Sequence, residues 1–266
     1  MNLDLLFDPL FRVPFFTGLL LAALLPILGL YLRLRGEWLA ALGYAHIAGA
    51  GGVLAPLVGV PIIAGALGGG ALVALAKGLL RRKGNDTYAL FILIGWSVML
   101  LGAAYSHHAQ LIGQALIDGQ LYFIGSQHLL TALVLGGLVV FGLPFLSRLL
   151  LREHLFPWHD RANGRPVRLQ SVAFDLLAAV TIGLAATAMG VMAAFAVLFV
   201  PAWIAFALAP GWRWALLLAA TMSIVAYLLG FVAAVLFDLP FGPALVAVLV
   251  LFTPLRLLVR PPAGRV

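Results

Sequence analysis

Long apolar stretches separated by short polar gaps run through most of this chain, and its Lys and Arg residues crowd into alternate gaps. The groups are Arg33 and Arg35; Lys77, Arg81, Arg82 and Lys83; Arg148, Arg152, Arg161, Arg165 and Arg168; Arg213; and Arg256, Arg260 and Arg265. Only Arg12 stands apart. Basic residues in short loops beside membrane spans stay on the cytoplasmic side. The N-terminus is therefore expected outside and the C-terminus inside, in a cell (inner or plasma) membrane.

Composition demands the same solvent. Charged residues make up 9% of the 266 and hydrophobic ones 64%, whereas soluble domains carry roughly 25% charge. A spanning helix takes about 20 mostly apolar residues. The sequence predicts an all-α polytopic membrane protein, one transmembrane domain over 1–266 with eight or nine helices. These are expected at roughly 14–33, 38–57, 61–80, 87–105, 129–150, 169–192, 193–209, 213–236 and 242–259.

The net charge of +7 raises the question of nucleic acid, but a nucleic-acid surface gathers its cations on one exposed domain. Spread over helix ends, these cations fit the lipid bilayer and cytoplasmic partners, and no nucleic acid is expected. The absence of Cys rules out disulfide and thiolate chemistry. The opening MNLDLLFDPLF lacks a basic n-region and a small-residue cleavage site, so the first helix is expected to be retained.

Two stretches do not span. Residues 105–128 hold no Lys or Arg and include an amphipathic piece from Leu111 to Leu121, which predicts the main external feature. Residues 151–168 carry Arg152, Arg161, Arg165 and Arg168 with Glu153 and Asp160, which predicts the longest cytoplasmic loop. Glycine pairs such as Gly49/Gly52 and Gly65/Gly69 share helical faces and predict close helix packing. Pro201 predicts a kink or a short re-entrant turn. The segment Asp238-Leu239-Pro240-Phe241-Gly242-Pro243 predicts a compact external turn.

No GxxxxGK[ST] spacing occurs, so the chain has no phosphate loop, and any ATP is hydrolysed by another polypeptide. Nor is there a nucleophile elbow or a zinc-protease motif, and the chain is not expected to be an enzyme. Ionisable side chains inside a bilayer are costly and need partners or a role. His46, near the middle of the second span, could coordinate a cation or hydrogen-bond across helices. Asp175 is expected to pair with Arg168 or Arg165, and Asp86 to cap the following helix. His107, His108, Asp118 and His128 are ligand types for zinc, manganese or iron, but their spacing matches no metal motif and also fits a solvated loop.

Several segments resemble the permease subunit of the ABC-3 family, the membrane component of zinc, manganese and iron ABC importers. They are RLRGEWLAALGYAHIAGAGGVLAPLVGVP, LIDGQLYFIGSQHL, HDRANGRPVRLQSVAFDLLAAVTIGLA, MGVMAAFAVLFVPAWIAFALA and FDLPFGPALVAVLVLF. The last two are the most specific, with the Pro201-Ala202 pair and the Asp-x-Pro-x-Gly-Pro turn. The resemblance implies two permease copies forming a homodimeric pathway, a solute-binding protein that delivers the metal, and ABC ATPase subunits that dock on the long cytoplasmic loop. That loop would present Asp160, Arg161, Arg165 and Arg168 to the ATPase. The divalent metal ion is the transported substrate, and no cofactor is expected on this chain. The resemblance makes His46 and Asp238 pathway candidates, with His107 and His128 as further metal candidates. The chain also departs from the family. An aspartate four residues before a histidine in the second helix is missing, whether Leu42 or Tyr44 is taken as its position, and Gly125-Ser126 replaces a Gly-Asp pair. Loss of carboxylates removes the charge that favours a hard divalent ion, so softer or chelated cargo becomes plausible. An ion-coupled secondary transporter or a non-transporting scaffold are the alternatives.

Overall fold

The computed structural model describes residues 9–80, 84–105, 107–119, 121–156, 162–163 and 167–258, and no strand occurs among them. Helix α1 covers Pro9–Leu34 and α2 covers Ala40–Leu54, prolonged by a 3-10 turn over Ala55–Val58. Then follow α3 (Ile62–Leu80), α4 (Asn85–Tyr105) and the short α5 (His107–Asp118). A 3-10 turn at Leu121–Phe123 leads to α6 (Ser126–Leu155), α7 (Val167–Met189), α8 (Val191–Leu208) and α9 (Trp212–Phe237). The last elements are α10 (Phe241–Leu251) and a 3-10 segment over Thr253–Leu258.

Eight of these, all but α5 and α10, are long and apolar enough to cross a membrane. α10, with the residues up to Arg256, is a shorter apolar helix. Its helical stretch is short because Pro254 cannot continue the α-helical ladder, and the 3-10 segment carries the chain on until Arg256 reaches Trp203 of α8. Helix directions alternate. α8 runs alongside α1, with Leu198 against Gly29 and Phe206 against Arg33, while α7 runs the opposite way, with Val172 against Gly78 and Ala179 against Gly70.

α1 starts before the expected residue 14, and α6 runs past 150 to Leu155. The Arg-bearing turns at the end of α6 are good helix formers, so the following loop is shorter than the charges alone implied. The break between α7 and α8 falls at Gly190, close to the expected boundary at 192–193, and Pro201, expected at a kink or re-entrant turn, lies inside a continuous α8. Gly190 has φ +92°, a conformation L-residues avoid. Its backbone meets that of Gly119, itself at φ +77°. Val191 packs beside Gly49, part-way along α2, so the α7–α8 turn lies below the rim of the bundle and the end of α5 covers it.

α2 is the hub, packed by α3, α4, α7 and α8. Its contact with α3 runs through Gly51, Gly65 and Gly69, where an added methyl group would meet backbone atoms of the facing helix. Of the expected pairs, Gly65 and Gly69 make this contact, Gly52 faces Ile62 and Ala66 of α3 together with Leu116 of α5, and Gly49 faces Met99 and Val191. Backbones that approach this closely gain dispersion contacts that lipid cannot replace. By contrast α3, α4 and α6 leave large apolar side chains such as Leu72, Leu93, Phe141 and Phe145 exposed, as lipid-facing helices do. At the charge-poor end, Phe11, Phe15, Tyr122, Tyr227, Phe231 and Phe241 form one aromatic cluster that joins α1, α9 and α10.

Candidate functional site

The largest concentration of buried charge lies at the basic end of the bundle. Arg35 and Glu37 occupy the α1–α2 connection, Lys77 the last turn of α3, and Asp175 the early part of α7. Glu37, Lys77 and Asp175 are each at most 3% exposed. The Lys77 ammonium donates to Glu37 Oε2 at 3.0 Å and to Asp175 Oδ2 at 2.8 Å. Arg35 donates to Asp175 Oδ1 at 2.8 Å and to Ser171 Oγ at 2.9 Å, and lies 2.9 Å from Glu37 Oε2.

Two cations thus face two carboxylates, and the charges cancel, as burial in a bilayer requires. Around the four, the Tyr88 hydroxyl donates to Glu37 Oε2 at 3.2 Å, and the Tyr44 and Tyr88 hydroxyls are 3.5 Å apart. Tyr88 presents its ring to the ammonium of Lys77, and Phe174 presents its ring to Arg35. Burial works to lower the Arg35 pKa, but the charges of Asp175 and Glu37 outweigh it and hold it above the usual arginine value. The guanidinium is permanently charged. Asn85 closes the turn from outside, accepting from the Leu39 amide and donating to the Gly36 carbonyl. One polar knot therefore ties the α1–α2 turn, α3, α4 and α7 together.

Asp175 has partners that were not expected. Packing of α7 against α3 and α1 brings Lys77 and Arg35 to it, while the side chains of Arg165 and Arg168 lie outside the described residues. Asp86 is within the first turn of α4, which starts at Asn85, and does not precede it as a cap. A carboxylate there still opposes the positive end of the helix dipole.

His46 is buried in α2, 8% exposed. Its Nδ1 is 2.9 Å from the carbonyl oxygen of Leu42, one turn earlier. A carbonyl only accepts, so Nδ1 carries the proton and the neutral ring keeps its lone pair on Nε2. That is the tautomer a metal-ligating imidazole uses, and the same bond also satisfies a histidine that only packs. His128 is half-buried in the first turn of α6, and Asp238 is exposed at the end of α9 in the left-handed region, φ 53°. Asp238 acts on Tyr122: burial and the nearby carboxylate push this phenol, on the 3-10 turn before α6, up to about 12. Tyr122 Oη has no hydrogen-bond partner among the described residues.

These candidates stay on separate helices, and no cluster of three His, Asp or Glu fit to hold a metal occurs among the described residues. The side chain of His107 lies outside those residues, as do Asp160, Arg161 and Arg165 of the expected docking loop. The buried charge cluster was missed by sequence reasoning. Its signal is three charged residues, Glu37, Lys77 and Asp175, each on the apolar side of a span end where lipid allows no lone charge.

Comparison with known proteins supplies the context for this arrangement. The chain is 27% identical, over 95% of its length and 87% of the relative's, to the chelated iron transport system membrane protein YfeD of Yersinia pestis. Its fold superposes on PsaBC from Streptococcus pneumoniae, solved in complex with Fab, with a TM-score of 0.81 at 18% identity, covering 97% of this chain and 94% of the other. A second solved structure, an inward-facing ABC transporter, gives a TM-score of 0.64 at 19% identity over 92% of this chain and 84% of that one. Residues 8–259 match the ABC 3 transport family, nearly the whole length, and the chain belongs to that family.

Proposed function

We propose that the chain is the membrane-spanning permease subunit of an ABC importer that carries a divalent transition-metal ion of the zinc, manganese or iron class, free or chelated, into the cytoplasm. The observation that carries this reading is the family match over residues 8–259 of a helical bundle with eight membrane-spanning candidates among the described residues and no phosphate loop in its sequence. A transporter of this kind needs a separate ATPase. The loop at 151–168, with Asp160, Arg161, Arg165 and Arg168, is where it docks, because an Arg-rich loop at the basic end complements an acidic groove. A solute-binding protein delivers cargo at the charge-poor end, and a second copy of the chain completes the pathway. The protein lies in the cell membrane with its N-terminus outside.

His46 is the pathway residue, and the Nδ1 bond to Leu42 supports that role by leaving Nε2 free to meet a metal ion. The missing carboxylate near it supports cargo softer than a bare hard cation, or a chelate. The test is reconstitution with a cognate ABC ATPase and solute-binding protein, followed by uptake of iron, manganese and zinc isotopes into proteoliposomes. ATP-dependent accumulation is expected, falling roughly tenfold or more in His46→Ala at equal protein level. Accumulation that follows an ion gradient and ignores ATP would overturn the reading in favour of a secondary transporter.

A further inference from the structure

At the basic end, away from the charge cluster, two arginines lie against neighbouring aromatic rings of α8 with no carboxylate paired to either among the described residues. Arg33 ends α1 and Arg256 lies on the final 3-10 segment, and their charges act on one another. Neither forms an ion pair with any described residue. Arg256 stacks over the Trp203 ring at 4.0 Å and donates from Nη1 to the Trp203 carbonyl at 2.9 Å. Arg33 lies over the Phe206 ring at 5.3 Å, and its buried Nε finds no acceptor among the described residues. Trp203 and Phe206, three residues apart on α8, thus present both guanidiniums from one face.

Aromatic rings clamp the planar cations but neutralise nothing. Two like charges on one face of α8, with most of their donors unspent among the described residues, suit an anion that offers several oxygens at once. Phosphate fits, because the guanidinium fork matches it in two-point fashion. The depth identifies the source. Exposed Trp214 and half-buried Trp203 mark the membrane–water boundary, and a phospholipid headgroup sits at that level on the face where basic pockets meet anionic lipids.

We infer that Arg33, Arg256, Trp203 and Phe206 form a specific site for the phosphate of an anionic phospholipid, in the leaflet at the basic end. The site is independent of any cargo pathway. It would pin the end of α1 to α8 and to the C-terminal segment through lipid.

Native mass spectrometry of the full chain in mild detergent, titrated with phosphatidylglycerol or phosphatidylcholine, tests this. One tightly held phosphatidylglycerol per chain is expected, with phosphatidylcholine bound far more weakly and a large excess of inorganic phosphate unable to displace it. Each arginine contributes about fivefold, so R33Q/R256Q should weaken phosphatidylglycerol binding roughly thirtyfold, and R33K/R256K, which keeps the charge but loses the two-point fork, should fall between the Gln variant and the wild type. Should the double variant fail to fold, R256Q alone, on the terminal segment, should cost about fivefold. Equal binding of the two lipids by the wild type, unchanged retention in the folded Gln variants, or displacement by inorganic phosphate would each overturn the assignment.

Discussion

Lys77 ends α3 with its ammonium against two carboxylates, and that geometry makes it a partner rather than a solvated end-of-helix cation. Removing one member of a buried ion network costs about 3–5 kcal/mol, because the remaining charges are left uncompensated in a medium that cannot solvate them. Lys77→Met and Asp175→Asn should each lower thermal stability in detergent by that order. The double variant, which leaves Arg35 opposite Glu37, should cost clearly less than the sum of the two. Strict additivity would show that the cluster is not coupled. The aromatic cluster at the opposite end allows a paired comparison. Tyr227 Oη donates to the Phe15 carbonyl at 2.9 Å, whereas Tyr122 Oη has no partner among the described residues. Tyr227→Phe should therefore cost about 1 kcal/mol, and Tyr122→Phe close to nothing. With the Tyr122 phenol raised to about 12 from an ordinary value near 10, the unfolded chain releases that proton first. Stability from this group is fully present below about pH 10 and lost as pH rises towards 12, a loss that Tyr122→Phe should abolish in pH-dependent melting curves. Sequence placed charges at span ends but not their partners. Asp175 is close in sequence to Arg165 and Arg168, yet Arg35 and Lys77 reach it because helix packing, not chain distance, decides contacts between spans.

At the scale of helices, glycine rather than proline sets the fold. Pro201 removes one backbone donor from α8 but does not break it, since neighbouring helices sustain a proline-bearing segment in a membrane. Gly190 turns the chain because of its positive φ and its backbone contact with Gly119. Neither feature is visible in a sequence holding 29 glycines. The same difficulty applies to α2 and α3. Small-residue spacing announced that these helices pack closely, but it did not tell that Gly51 brings its backbone against α3 while Gly52 meets only α3 side chains and Gly49 turns to Met99 and Val191, because rotation about the helix axis is fixed by tertiary contacts. Gly65→Ala would drive a methyl group into the Gly51 carbonyl and the Ala55 side chain. Folded yield in fluorescence-detected size-exclusion chromatography should collapse. Gly68→Ala, one helical position from Gly69 and with nothing near its Cβ, should be neutral or stabilising by up to about 1 kcal/mol through helix propensity. Equal yields for the two variants would mean that α2 and α3 are not in backbone contact. The short helix α5 shows the limit of periodicity: the amphipathic pattern from Leu111 to Leu121 located it, while its true course, His107–Asp118, depends on burial of Ala109, Ile112 and Leu116 against α2 and α4.

For the whole molecule, the charge pattern carried most of the information, because a bilayer allows few ways to cross it and each crossing must begin and end in water. The pattern gave eight or nine passes and grouped their ends, and the structure holds eight spanning candidates among the described residues, with the ends of α1 and α3, the start of α4 and the early part of α7 meeting in one charge cluster. It could not reveal the candidate pathway, which depends on how His46, His128 and Asp238 are disposed across different helices. Which side of the cell the basic end faces is a separate question, and the chain is well suited to answer it because it contains no Cys. Single cysteines can be introduced at Val58 and Leu239 on the charge-poor end and at Phe156 on the basic end, all exposed. In right-side-out membrane vesicles a membrane-impermeant maleimide should label Val58→Cys and Leu239→Cys at once, and Phe156→Cys only after detergent opens the vesicle. Basic loops remain cytoplasmic, so Phe156, which opens the loop between α6 and α7, should share its compartment with the ATPase. Labelling of Phe156→Cys in sealed vesicles would put that loop on the wrong side for an ATP-driven motor, and the importer assignment would fail with it.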